Sequence, residues 1–442
     1  MWVEEFSLEN IRCFEKATLK FTAAGEHYRW VTFLSENGGG KSTVIQALGL
    51  LLAGPEGAQK LLPSPVGWVR NENEPGKMSI RIHQSENDPG KFGEQRVSRT
   101  FGYTYFLTGT KTVTIRNRQY TEPTILENKE KRLTWLRQNA LTSKGTGWFA
   151  VGYGAFRRLT RSSQIIVPSL EPQARFNNFT TQFDEDQPLS AFERWMVYLD
   201  YRIAKENDRE ARNQRELGVA AIDKVLPDGV KFDTVSSEGR IYFNIGGQKV
   251  PTIGLSDGYR SVLALAGDLV WRLILAFPNS TDPLNEEGVV LIDELDIHLH
   301  PKWQRDIAIW LQEQFPNLQF IVATHSPLLA AGAGYDALTL RFFLDEGKTR
   351  VEKIENIAAL NVDRILQSKA FGLVSSYSPQ TQRKIKRYDT LIRKRRRTPR
   401  EENELQADLF PFMKTARPFG APPEPDSLNA KIDAYLSKVL ND

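Results

Sequence analysis

The stretch that most constrains this chain is RWVTFLSENGGGKSTVIQALGLLLAG, residues 29–54. A short apolar run, a glycine-rich loop and a segment of helical periodicity follow one another, which reads as strand, loop, helix. Backbone N–H groups of such a loop, with the N-terminus of the helix behind it, form an anion cradle. Gly38, Gly39 and Gly40 let the backbone approach phosphates closely. Lys41 reaches β- and γ-phosphates, and the Ser42 hydroxyl is a candidate Mg²⁺ ligand. The pattern is G-x-x-x-x-G-K-[ST] with one departure, because Ser35 stands where the first glycine is expected. Serine is acceptable there if its backbone stays in an allowed region. The sequence places it five positions before Gly40, away from the groups that meet the terminal phosphates.

A second stretch, GVVLIDELDIHLHP at 288–301, is an apolar strand ending in two carboxylates. Val289–Ile292 read as a strand buried on both faces. Asp293 at its carboxyl end can hold Mg²⁺ through water, and Glu294 can polarise an attacking water. Solvated acids at a strand end are the plainer reading, but that leaves their pairing with an upstream glycine loop unexplained. GLSDGYRS at 254–261 opens a helix, with Ser256 or Asp257 available as N-cap. ATHSP at 323–327 puts His325 after another apolar strand.

The rest of the chain frames these stretches. Strands are expected in EEFSLENI, KATLKFT and RWVTFL, and again through residues 60–125. A helix is expected in KEKRLTWLRQNAL, a buried strand in GWFAVGYGAFRRL, and a polar, loosely ordered stretch over 160–185. Residues 188–223 read as helices, and GRIYFNIGGQKVPTI as a hairpin turning at Gly-Gly. From 255 onward, helix and buried strand alternate, the pattern of a parallel α/β sheet. FFLDEGKTRVEKI reads as a hairpin turning at 345–348. Beyond about 376 the composition becomes basic and Pro-rich, with five consecutive basic residues, Arg393 to Arg397. One or two helices, a linker and a last helix, LNAKIDAYLSKVL, are expected there.

Composition excludes several classes. Of 442 residues, 40% are apolar and 25% charged, and no run of about 18 apolar residues occurs, so no membrane span is expected. The acidic start argues against a secretory leader. One cysteine, Cys13, leaves no disulfide framework and makes a cysteine metal site improbable, which points to the cytosol. The net charge of +4 says little by itself about nucleic acid.

Taken together and in this order, the four stretches resemble the motifs of ABC-type ATPases. The resemblance covers residues 1–50 and about 250–330. It is closer to the RecF/SMC-like branch, on LENIRCFEKATLKF and DELDIHLHP. Within that branch the chain resembles the PtuA-like ATPases of bacterial anti-phage systems of the Septu, retron and PARIS types, with DRILQSKAFGL at 363–373 adding to the likeness. The fold this implies is an α/β ABC-type P-loop head with an N-terminal β-rich lobe. A β-rich and helical insertion at about 60–245 splits a domain spanning 1–375, and a basic helical extension, 376–442, is expected to dock a partner.

The resemblance also implies a mechanism. Two heads sandwich two ATP molecules head to tail, in a homodimer or higher oligomer. The loop residues Asn37, Gly38, Gly39, Gly40, Lys41, Ser42 and Thr43 bind nucleotide, with Ser42 and Asp293 at Mg²⁺. Ser256, Asp257 and Gly258 belong to the signature turn that caps the γ-phosphate held by the other copy. Glu294 is the general base, Asp296 acts at the dimer contact and His325 senses the γ-phosphate. No glutamine of the Q-loop is evident: the region of VGYGAFRRL offers none before Gln164, and Arg157 and Arg158 there are either phosphate or interface contacts or a surface pair. Lys41 and Ser256 lie 215 positions apart, long for a transporter subunit, and no sustained heptad array marks a long-armed SMC protein. The expected function is an ATPase controlling a separate nuclease or toxin in anti-phage defence. The alternative is a RecF-like DNA repair or maintenance ATPase acting directly on nucleic acid.

Overall fold

The computed structural model describes residues 1–23, 25–36, 38–85, 88, 99–115, 118–142, 145–155, 174–184, 191–226, 229–236, 238–373, 375 and 377–416. The chain divides into two compact units, Met1–Gly372 and Leu373–Asp442.

In the first unit, Trp2–Ile11 (β1) and Phe14–Lys20 (β2) pair antiparallel. Two short strands, Thr22–Ala23 (β3) and Glu26–His27 (β4), follow. The chain then enters the interior as Trp30–Ser35 (β5), buried throughout. Gly40, at φ 98°, turns it into Lys41–Leu52 (α1). Pro55 opens a second helix, Pro55–Leu61 (α2), because its fixed φ suits a first helical position.

Gly76–His83 (β6), Thr100–Ile115 (β7) and Arg118–Glu127 (β8) complete a five-stranded antiparallel sheet in the order β2-β1-β6-β7-β8. Lys131–Asn139 (α3) follows, and then the fully buried strand Phe149–Tyr153 (β9). Residues 174–184, expected to be loosely ordered, instead contain a 3₁₀ turn, Arg175–Gln182, seated against β9. The insertion continues as Ala191–Glu206 (α4) and Arg209–Val225 (α5). A three-stranded sheet comes next: Val230–Val235 (β10), Ile241–Ile245 (β11) and Gln248–Pro251 (β12), the last two joined at Gly246–Gly247.

Asp257–Ala276 (α6), Gly288–Ile292 (β13), Pro301–Gln314 (α7), Leu318–Thr324 (β14) and Pro327–Gly332 (α8) realise the helix–strand alternation. Leu338–Asp345 (β15) and Lys348–Ile354 (β16) form the expected hairpin, and Val362–Gln367 (α9) ends the unit's helices. The main sheet runs β16-β15-β5-β14-β13-β9, with every neighbouring pair parallel except the β15–β16 hairpin.

Strand periodicity explains why this sheet is central. Side chains alternate between faces. Val290 and Ile292 of β13, with Phe320 and Val322 of β14, enter a core shared with α4, α5 and α6. Val289 and Leu291, with Ile321 and Ala323, enter a second core shared with α1 and the antiparallel sheet. Each of these side chains except Ala323 contributes roughly 1.5–3 kcal/mol by leaving water. Strands with no polar face must therefore lie between two layers, and their carboxyl ends emerge together at one edge of the sandwich.

The second unit, as far as residue 416, is a helical hairpin. Pro379–Arg393 (α10) packs through Tyr388 and Leu391 on a segment formed by Pro399–Glu404 (α11), a π turn at Leu405–Leu409, and Phe410–Ala416 (α12). The helix expected in LNAKIDAYLSKVL lies outside the described residues.

Candidate functional site

The carboxyl ends of β5, β13 and β14 each deliver part of the site. After β5, Gly39 and Gly40 pack too closely for a side chain. A Cβ on Gly39 would lie 2.6 Å from Ser35 Cβ, and one on Gly40 2.6 Å from the Phe14 ring and 2.7 Å from Cys13 Sγ. Gly38 and Gly40 also have φ of 81° and 98°, a region that favours glycine. No side chain caps α1, so its first-turn N–H groups are left to the loop. Asn37 lies outside the described residues, as do Arg157, Arg158 and Gln164.

Lys41 is only 5% exposed. Its Nζ donates to Ser35 Oγ at 3.0 Å and lies 3.4 Å from the Ser35 carbonyl oxygen. It also stands 2.7 Å from His325 Nε2. The expectation that Ser35 sits away from the phosphate-contacting groups is therefore corrected: the loop curls so that its first residue becomes a ligand of the lysine. An ammonium has no acceptor, so His325 must accept at Nε2 and carry its proton on Nδ1. Burial, and next the Lys41 charge, push the His325 imidazole below its ordinary value, against the pull of Asp296 and Asp293. Burial likewise lowers Lys41, while Glu294, Asp293 and Asp296 oppose that shift.

Glu294 follows β13 in a left-handed conformation, φ 50°, and its Oε1 lies 3.3 Å from His325 Nε2. Asp293 is buried, and its N–H donates to the Tyr153 carbonyl at 2.9 Å, tying the acid pair to the end of β9. Asp296 accepts a hydrogen bond from the Thr324 hydroxyl. Gln304 then links the two strand ends, donating to the Asp296 carbonyl at 3.3 Å and accepting from Ser326 Oγ at 2.8 Å. Lys41, Glu294 and His325 thus meet directly, and Asp296 joins them through the residues flanking His325.

The signature turn occupies a different position. Ser256 caps α6 by accepting from Tyr259 N at 3.5 Å, so serine rather than aspartate takes the cap. Ser256 and Asp257 are exposed, and a Cβ on Gly258 would stand 3.4 Å from the His298 carbonyl. Thr43, buried, receives Arg12 Nη1 at 3.4 Å, whereas Ser42 is exposed at the mouth of the loop.

Two residues near the loop escape sequence reading. Arg12 donates to Gln46 Oε1 at 3.2 Å and lies 4.0 Å over the Trp68 ring. Its place in NIRCF, beside the cysteine that abuts Gly40, was its only signal. Gln182, 7% exposed, wedges its amide between α1 and β9, where Cβ atoms on Gly49 and Gly152 would fall 2.1 Å and 2.3 Å from it. It comes 29 residues after Tyr153, with no periodic pattern to announce it.

The donor set fits a nucleotide with Mg²⁺. A buried cation, glycine backbone that no larger residue could replace, and hard oxygen donors from Ser42 and Asp293 suit phosphate and a small dication. Mg²⁺ sites commonly draw one or two protein oxygens and complete their shell from phosphate and water.

The chain is similar to several known proteins. A "Septu protein PtuA" of Bacillus mycoides (strain KBAB4) is 25% identical over 408 residues, which is 92% of this chain and 49% of that protein. A "Retron Vc95 probable ATPase" of Vibrio cholerae serotype O1 biovar El Tor is 29% identical over 216 residues, 46% of this chain and 41% of that one. A "Retron Ec83 probable ATPase" of Escherichia coli is 55% identical over 73 residues, 16% of this chain and 14% of that one. The chain thus spans about half the length, or less, of these relatives. A solved SMC head bound to the C-winged helix domain of ScpA superposes with a TM-score of 0.47 at 15% identity, over 81% of this chain and 99% of that one. No helix of the described residues is long and apolar enough to cross a membrane. Residues 36–331, which run from the glycine loop past His325, match the family model described as "AAA domain, putative AbiEii toxin, Type IV TA system", and the chain belongs to that family.

Proposed function

We propose that this chain binds ATP with Mg²⁺ between two copies of itself, hydrolyses it, and uses the cycle to control a separate effector, a nuclease or toxin, in anti-phage defence. The observation that carries the reading is the meeting of Lys41, Glu294 and His325 at one strand edge, while Ser256 and Asp257 stand exposed, and Gly258 half-buried, at the start of α6. On this reading each copy supplies one face of a site. Gly38–Thr43, with Asn37, cradle the phosphates. Ser42 and Asp293 would hold Mg²⁺, which supplies charge neutralisation at the phosphates. Ser256, Asp257 and Gly258 of the second copy close on the γ-phosphate, with the α6 N-terminus favouring its charge.

Glu294 takes the proton of the attacking water. His325 begins as the acceptor for Lys41. Once phosphate draws the lysine away, Nε2 is released, and with a proton taken up there from solvent it donates to the new anion, with Asp296 beside the joint. The likeness to the Septu and retron proteins supports an effector. A cytosolic location follows from the same reading. The test is ATP turnover and ATP-dependent association of the purified chain. Lys41→Ala should abolish both, and turnover unchanged by it would overturn the proposal. Nucleic-acid cleavage by the chain alone would overturn the separate effector.

A further inference from the structure

The hairpin of the second unit segregates its charge. Residues 377–416 hold eleven Lys and Arg against five Asp and Glu, a net +6, whereas the whole chain is +4. Four acids are committed to one edge. Lys384 pairs with Asp408 at 2.8 Å and Arg387 grips Glu404 through two bonds, at 3.0 and 2.9 Å. Lys394 pairs with Glu401 at 2.7 Å, and Arg397 with Glu402 at 3.0 Å. The opposite face is left cationic. Arg383, Lys386 and Arg393 point away from the buried Ile385 and Leu391, and all three are exposed. Arg395 and Arg396 extend the surface beyond the helix end. Among the described residues, none of these five has an ion pair. Asp389, half-buried, is the one acid on the flank.

We propose that this face is a docking surface for a B-form DNA duplex, gripped through its phosphates without reading the bases. Three cations on one face of a rigid helix, over about 15 Å of axis, match a regular line of phosphates. The face carries no aromatic ring: Tyr388 turns inward and meets Phe410 edge-on at 5.6 Å. Single strands are held largely by such rings, so their absence from this face favours a duplex. An α-helix fits the wide major groove of B-form DNA, whereas the deep, narrow groove of A-form RNA excludes it. An acidic protein partner would ordinarily anchor on apolar or aromatic groups at the centre of its interface, and none stands between Arg383, Lys386 and Arg393. The inference does not depend on the nucleotide site.

The test uses the full chain and a random-sequence DNA duplex, with fluorescence anisotropy over a range of salt. The triple variant Arg383→Ala/Lys386→Ala/Arg393→Ala should lower the slope of log affinity against log salt by about 2.7, roughly 0.9 for each lost phosphate contact. Lys384→Ala/Arg387→Ala, on the paired edge, should leave it unchanged. If circular dichroism shows the triple variant misfolded, Arg395→Ala/Arg396→Ala outside the helices should still lower the slope by about 1.8. A wild-type chain that ignores duplex DNA, variants that bind it with wild-type salt dependence, or equal affinity for an RNA duplex or for polyglutamate would each overturn the proposal.

Discussion

Lys41 Nζ and His325 Nε2 stand 2.7 Å apart, with Ser35 Oγ 3.0 Å from the same ammonium. The loop cation is thus satisfied from within, by the first residue of its own loop and by the histidine beyond β14. Whatever takes Lys41 must displace both partners.

Replacing Ser35 by alanine removes one partner from the resting state alone. The nucleotide-free protein should lose about 1.5–3 kcal/mol, the usual net worth of a bond to a charged group. If the lysine turns to phosphate on binding, the complex loses nothing, and apparent ATP affinity should rise by roughly ten- to hundredfold. Nucleotide titration by calorimetry checks this. Weaker binding in the variant would mean that the serine itself serves the nucleotide.

Glu294→Gln keeps the size of the side chain and removes the base. Phosphate release should fall by about 10²–10⁴-fold while nucleotide still binds. With ATP present, light scattering should show a persistent dimer. Hydrolysis at the wild-type rate would assign the base elsewhere.

Acidification acts through His325. Its imidazole is held below the ordinary value of 6.5 by burial and by Lys41. The unfolded chain therefore takes up a proton first as pH falls. The stability tied to neutral His325 is complete above about 6.5 and is lost as pH drops through that value toward the lower folded one. Urea midpoints measured across this range should decline less steeply in His325→Gln than in the wild type. Parallel curves would show that folding does not lower the imidazole.

Gly152→Ala drives a methyl group to 2.3 Å from the Gln182 side chain. Crowding of this kind costs about 1–3 kcal/mol. Gln182→Ala should recover part of the loss, and a double-mutant cycle in urea measures how much. Additive effects would mean that the amide does not fill this gap.

Sequence reading placed the candidate residues on their elements better than it read their surroundings. The glycine loop and its helix were legible because spacing and periodicity are local. The acids after β13 were legible because a strand without a polar face has one place in such a fold. A cap at Ser256 or Asp257 was legible for the same local reason, and the structure gives it to Ser256. Ser35 was misplaced because its contact with Lys41 depends on how tightly Gly39 lets the loop curl, a tertiary fact. Gln182 and Arg12 reach α1 from distant segments, and no periodic pattern marks such approaches. The 3₁₀ turn at Arg175–Gln182 was missed because polar residues there bond to backbone rather than to solvent: Asn178 donates to the Ala150 carbonyl at 3.0 Å and Thr181 to that of Gly152 at 3.1 Å.

The alternation along β13 has a mechanical meaning. Val289 and Leu291 are gripped from one side, Val290 and Ile292 from the other. Neither half of the head can melt while the other stays intact, since both hold the same five residues. The strand works like a rivet through two plates, and the carboxylates at its tip inherit that rigidity. Heating should therefore produce no state in which the acid pair drifts while the remainder of Met1–Gly372 holds its shape.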